Sequence, residues 1–80
     1  MSIKEKIFAI IADQLNIEAS AITLEAHPTD DLGGDSLDLL EIALAVEKEF
    51  NIDLPEEHEN ATVGQLIAEV EKQLADKQGN

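Results

Sequence analysis

Eighty residues suit one small domain, residues 1–80, and leave no room for a second. No cysteine is present, which excludes a disulfide framework and a thiolate metal site. With 18 acidic residues against 5 basic ones the formal charge is -13, a surface that repels nucleic acid and anionic membranes and attracts basic protein patches.

A disordered acidic chain would not carry 44% hydrophobic residues at regular spacing. Only Phe8 and Phe50 are aromatic, too few for a stacking surface that binds nucleic acid. Lys4, Glu5 and Lys6 interrupt any apolar run at the N-terminus, and no stretch is long enough to span a bilayer. The expectation is a soluble, cytoplasmic monomer.

Taken in chain order, the first predicted helix opens at Ser2, which forms a capping-box pattern with Glu5. Ile3, Ile7, Ile10, Ile11 and Leu15 then recur at helical spacing, and the helix ends near Asn16. A long connection comes next, from about Ile17 to Gly34, with Pro28 and the pair Gly33-Gly34 in it. Ile22, Leu24 and Leu32 are its candidates for anchoring to a core. So long an ordered loop in a small domain points to a functional role.

The second helix is expected from Asp35, as N-cap, to about Asn51. Pro55 suits the first position of a short, polar third helix at Glu56 to Asn60. The last helix starts at a second capping box, Thr62 with Gln65, and its apolar stripe is Val63, Leu66, Ile67, Val70 and Leu74. Its tail is expected to fray after Asp76. No strand and no internal repeat are read. The expected fold is all-α, a small four-helix bundle of three main helices and one short one, with a long loop between the first two.

The second helix carries two apolar stripes. Leu39, Ile42, Ala43, Val46 and Phe50 fall within roughly one third of its circumference and form the core face. Leu37, Leu40 and Leu44 lie nearly opposite, flanked by Glu41 and Glu47. Either the long loop folds back and buries this second stripe, or it is a docking surface ringed by carboxylates. The acidic flanks, costly to bury, favour docking.

Ser36 is placed in the first turn of this helix, where free N–H groups and the helix dipole favour negative charge. A serine there is common in any case, and Asp35-Ser36-Leu37 alone is weak evidence. Gly34-Asp35-Ser36-Leu37 also spells the GDSL-esterase motif, but neither His27 nor His58 has an aspartate three positions before it, and the chain is too short for that scaffold. A calcium loop from Asp30 to Glu41 fails too. Leu32 and Gly34 offer no side-chain ligand at its third and fifth positions, and Asp35 stands where glycine is needed.

The extended run Asp31-Leu32-Gly33-Gly34-Asp35-Ser36-Leu37-Asp38 resembles the signature of carrier proteins. Glu47-Lys48-Glu49-Phe50-Asn51-Ile52-Asp53-Leu54-Pro55 resembles the stretch downstream of that signature in type II acyl carrier proteins. The similarity covers nearly the whole chain. It implies a non-enzymatic carrier in which a phosphopantetheinyl transferase moves 4'-phosphopantetheine from coenzyme A onto Ser36, with Asp35 and Leu37 flanking it. The arm's thiol then holds acyl groups as thioesters between the acyl-transfer and condensing enzymes of fatty acid or related biosynthesis.

The resemblance gives the docking role to Leu37, Asp38, Leu40, Glu41, Leu44 and Glu47, facing basic patches on those enzymes. It makes Ile42, Val46, Leu54 and Ile67 candidates for lining a space that shelters the acyl chain. Pro28 departs from the family, whose members often have a large apolar residue there. Other readings are a specialised carrier for polyketide, aminoacyl or modified-lipid assembly, and an unmodified acidic helical adaptor. Asp35 argues against most peptidyl carriers.

Overall fold

Ser2 begins the first helix as the sequence predicts. Its hydroxyl accepts from the Glu5 N–H at 3.1 Å and its own N–H donates to the Glu5 carboxylate at 3.0 Å, two otherwise orphaned donors satisfied at once. Helix α1, Ile3–Leu15, then runs to Asn16, which caps it in the left-handed region at φ 57°. This computed structural model describes residues 2–54 and 61–78. Helix α2 is Ser36–Phe50 and helix α3 is Val63–Gln78. Asn51 ends α2 in the same left-handed conformation, φ 56°. Helix α3 continues two residues past the expected fraying point. The short helix expected at Glu56 to Asn60 lies outside the described residues, which contain helices and one 3₁₀ turn but no strand.

Most of the predicted apolar stripes meet in one core, but Leu39 and Ala43 of α2, expected on the core face, are half-buried and lie outside it. Ile7 and Ile11 of α1, Val46 of α2, and Val63 and Val70 of α3 are fully buried, with Ile42, Leu66 and Ile67 beside them. Each such aliphatic side chain removed from water contributes on the order of 2 kcal/mol. Helices α1 and α2 run antiparallel: Lys6 near the start of α1 pairs with Glu49 at 3.6 Å and lies over the Phe50 ring, both in the last turn of α2. That ion pair is solvent-exposed on both sides and adds little.

The long connection is tied down mainly by its backbone. A 3₁₀ turn at Ala19–Ala21, not expected from the sequence, interrupts it. Ile22 is buried and Leu32 packs on the core as anticipated, but Leu24 is exposed. Leu24 anchors through its carbonyl instead, which accepts from the Gly64 N–H at 2.8 Å, while the Ala26 carbonyl accepts from the Val63 N–H at 2.9 Å. Those are the first two donors of α3. The third, Gln65 N–H, donates to the Thr62 hydroxyl at 3.1 Å in the predicted capping box. The loop thus completes the cap of α3. Glycine at 64 relieves this close approach, because a Cβ there would meet the Leu24 carbonyl oxygen at a tight 3.0 Å.

The segment after α2 is held from two sides. The Glu47 carboxylate accepts from the Leu54 N–H at 2.6 Å, and the Gln73 side-chain amide of α3 donates to the Asp53 carbonyl at 2.7 Å.

Candidate functional site

The approach to Ser36 is a series of tight turns. The His27 carbonyl accepts from the Asp31 and Leu32 N–H groups at 2.9 and 3.2 Å, and the His27 N–H donates to the Asp31 carboxylate at 2.8 Å. The Gly34 N–H donates to the Pro28 carbonyl at 2.9 Å. Pro28 is buried, so its ring works as packing within the loop. The two glycines do different jobs. Gly33 sits at φ 82°, where an L side chain is strained, and the space around it is open. Gly34 is squeezed: a Cβ would lie 2.9 Å from the Leu15 side chain and 3.0 Å from the Pro28 carbonyl oxygen. Gly33 thus serves the backbone conformation of the turn, while Gly34 lets the loop close against α1.

Asp35 is the N-cap of α2, as expected from the sequence. Its carboxylate accepts from the Asp38 N–H at 2.9 Å, and the Asp38 carboxylate accepts from the Asp35 N–H at 3.1 Å. This reciprocal pair is a capping box with aspartate in both places. It leaves a contrast with α3. There all of the first three N–H groups have acceptors, whereas among the described residues the Ser36 and Leu37 N–H groups of α2 have none. Ser36, exposed, is thus the first residue of a helix whose opening donors still face water. The carboxylate of Asp35 is committed to the cap rather than to the hydroxyl of Ser36.

The residues assigned to docking fall into two groups. Leu37, Leu40 and Leu44 are 63%, 55% and 54% exposed, so the loop does not fold back over them. Glu41 is exposed as well. Asp38 and Glu47 are half-buried and hold backbone, Asp38 at the α2 cap and Glu47 at Leu54. The cap role of Asp38 is absent from the sequence reading, although an aspartate at the third helical position after an N-cap aspartate is a recognisable signal.

Also unread is Gln14 of α1, whose side-chain amide donates to Glu41 at 2.9 Å and to Asp38 at 3.2 Å. Its signal is positional. Gln14 stands three residues after Ile11 and seven after Ile7, where the apolar stripe of α1 calls for another hydrophobe.

The Asp35 N–H first, and the Gln14 amide second, hold the Asp38 carboxyl below its ordinary range. A carboxyl depressed by folding stabilises the native state above its unfolded pKa, and that contribution is lost as pH falls through the folded value. Asp38→Asn, which keeps an acceptor oxygen for the cap, should therefore lose less stability than the parent chain as pH drops below about 4. Melting temperatures of the two chains from pH 6 to pH 2.5 measure this. Parallel curves would contradict it.

Of the four candidate pocket residues, Ile42, Val46 and Ile67 are buried together and Leu54 packs against them. A surface depression lined by Asn51, Ile52, Asp53, Gln73 and Asp76 includes none of the four. No three acidic or histidine side chains among the described residues converge on a metal position.

Residues 5–70 match the model of a family described as "Phosphopantetheine attachment site". An acyl carrier protein of Porphyromonas gingivalis is 43% identical over 74 residues, which is 90% of this chain and 95% of that one. One from Amoebophilus asiaticus is 43% identical over 77 residues, covering 94% and 96%. One from Helicobacter pylori is 42% identical over 73 residues, covering 89% and 94%.

The chain belongs to the acyl carrier protein family.

The prosthetic group of this carrier is covalent 4'-phosphopantetheine, whose thiol supplies the thioester chemistry. The residues present fit such an arm. A hydroxyl is exposed at the helix start, the N–H groups of Ser36 and Leu37 are open to a phosphodiester, and the space around Gly33 is clear.

Proposed function

We propose that Ser36 Oγ bears the 4'-phosphopantetheine arm and that this chain, one carrier domain over residues 1–80, presents acyl thioesters to the enzymes of fatty acid or related biosynthesis. The observation that carries the assignment is the exposed Ser36 hydroxyl at an open helix start, inside the region matching the attachment-site family. In loading, the Ser36 oxygen bonds to the phosphorus next to the pantetheine. The pyrophosphate link of coenzyme A breaks, adenosine 3',5'-bisphosphate leaves with the bridging oxygen and its electron pair, and the serine proton passes to a base on the transferase. The carrier itself is not an enzyme on this reading: the Asp35 carboxylate serves the helix cap, and the base for loading belongs to the transferase. Incubation with coenzyme A and a phosphopantetheinyl transferase, followed by peptide mapping, should find the added mass on the peptide containing Ser36. An arm on any other residue would overturn the assignment.

The partners on this reading are the transferase and the acyl-transfer and condensing enzymes, met through basic patches. Leu37, Leu40, Leu44 and Glu41 support it, as exposed apolar contacts beside negative charge. Leu40→Ser and Leu44→Ser together should cut kcat/KM with a partner enzyme on the order of tenfold. Because both side chains are already exposed, the melting temperature should move by only a few degrees. Unchanged transfer kinetics would remove the leucines from the interface. Asp38 and Glu47 contribute to docking through their charge, but their backbone contacts make them poor first targets for mutation.

Ile42, Val46, Leu54 and Ile67 are the proposed shelter for the acyl chain. Ile42, Val46 and Ile67 already form part of a closed core and Leu54 packs against it, so admitting a chain requires that core to open. The segment clipped by Glu47 and Gln73 carries Leu54. A monomeric, cytoplasmic protein remains the proposal for its state and location. The high negative charge supports solubility, and no helix among the described residues is long and apolar enough to cross a membrane.

A further inference from the structure

The docking face belongs to α2, but one of its contacts comes from α1. Gln14 Nε2 donates to Glu41 Oε2 at 2.9 Å and to Asp38 Oδ1 at 3.2 Å. Only the nitrogen end of the amide suits two carboxylates, since the carbonyl end has nothing to donate. Asp38 is then engaged through both oxygens, because Oδ2 accepts from the Asp35 N–H at 3.1 Å. Glu41 is engaged through one oxygen and is exposed.

We propose that Gln14 is a positioning residue of the docking surface, whose neutral amide holds the Glu41 carboxylate beside Asp38 as a ready-made receptor for an arginine or lysine of the partner enzyme. The inference rests on the docking role proposed for Glu41. Two carboxylates one helical turn apart repel each other, and a free glutamate samples many rotamers that binding must then freeze. The amide of Gln14 offsets part of that repulsion and restricts Glu41 before the partner arrives. Because glutamine is uncharged, both negative charges survive for the partner. A lysine in the same place would also bridge the pair but would cancel one of them.

The test is the KM of a phosphopantetheinyl transferase for this carrier chain, with coenzyme A saturating. Gln14→Ala should raise this KM on the order of threefold to tenfold with kcat unchanged. Gln14→Glu keeps the side-chain length and adds negative charge but cannot donate, and it too should raise KM. A fall in KM for Gln14→Glu would show that bulk charge governs docking and would overturn the proposal. Pairing Gln14→Ala with Glu41→Ala should be no worse than Glu41→Ala alone, since Gln14 then has no glutamate to position. Additive effects would reduce Gln14 to a structural residue and also overturn it. Should Glu41→Ala alone leave KM unchanged, the docking role of Glu41 fails. Should Glu41→Ala raise KM while Gln14→Ala does not, only the Gln14 inference fails.

Discussion

Ser36→Ala should abolish loading completely: intact-protein mass spectrometry after incubation with coenzyme A and a transferase shows one added arm on the parent chain and none on the variant. The effect is total because the variant lacks the oxygen that forms the bond, and no neighbour can substitute for it at the same place. Asp35 and Asp38 are tied into the α2 cap, and a carboxylate is a poor nucleophile toward a phosphoanhydride beside other negative charges. The fold should survive. The Ser36 side chain is exposed, the cap belongs to its neighbours, and alanine is a better helix former than serine. The melting temperature of the variant therefore separates loss of the attachment oxygen from loss of structure. An arm that still appears on well-folded Ser36→Ala protein would sink the assignment.

Ile11→Ala should have the largest effect on stability. Ile11 is fully buried at the centre of α1, in the cluster that joins all three described helices. Removing its branched chain costs about 3 kcal/mol from lost burial and the cavity left behind. A domain of this size has a total stability of only several kcal/mol. The melting temperature should fall by on the order of 15 °C, read by circular dichroism at 222 nm. Leu40→Ala, which deletes a similar volume from an exposed position, should shift it by only a few degrees. Equal shifts for the two would contradict this packing.

The pair of substitutions also marks where the sequence was readable. Periodicity separated Val46 from Leu40 on one helix and put each on its correct side, because a 3.6-residue repeat fixes faces without knowledge of neighbours. The capping boxes at Ser2 and Thr62 were legible for a similar reason: donor and acceptor are three residues apart in the chain. Leu24 was misread as an anchor because its anchoring atom is a backbone carbonyl, which carries no residue-specific signal. Glu47 looked like a surface charge for want of any sign that Leu54, seven residues on, would donate to it.

The sequence by itself determined the three main helices, their caps, the two faces of α2, the acidic surface and the carrier motif around Ser36. All of these depend on residue type and on spacing within a few positions. Only the tertiary structure decided which carboxylates hold the fold, and that Gln14 reaches across from α1 to Asp38 and Glu41. Those outcomes depend on how the helices are set against one another. Contacts over 24 and 27 residues of chain appear only once the core has packed and brought α1 and α2 side by side.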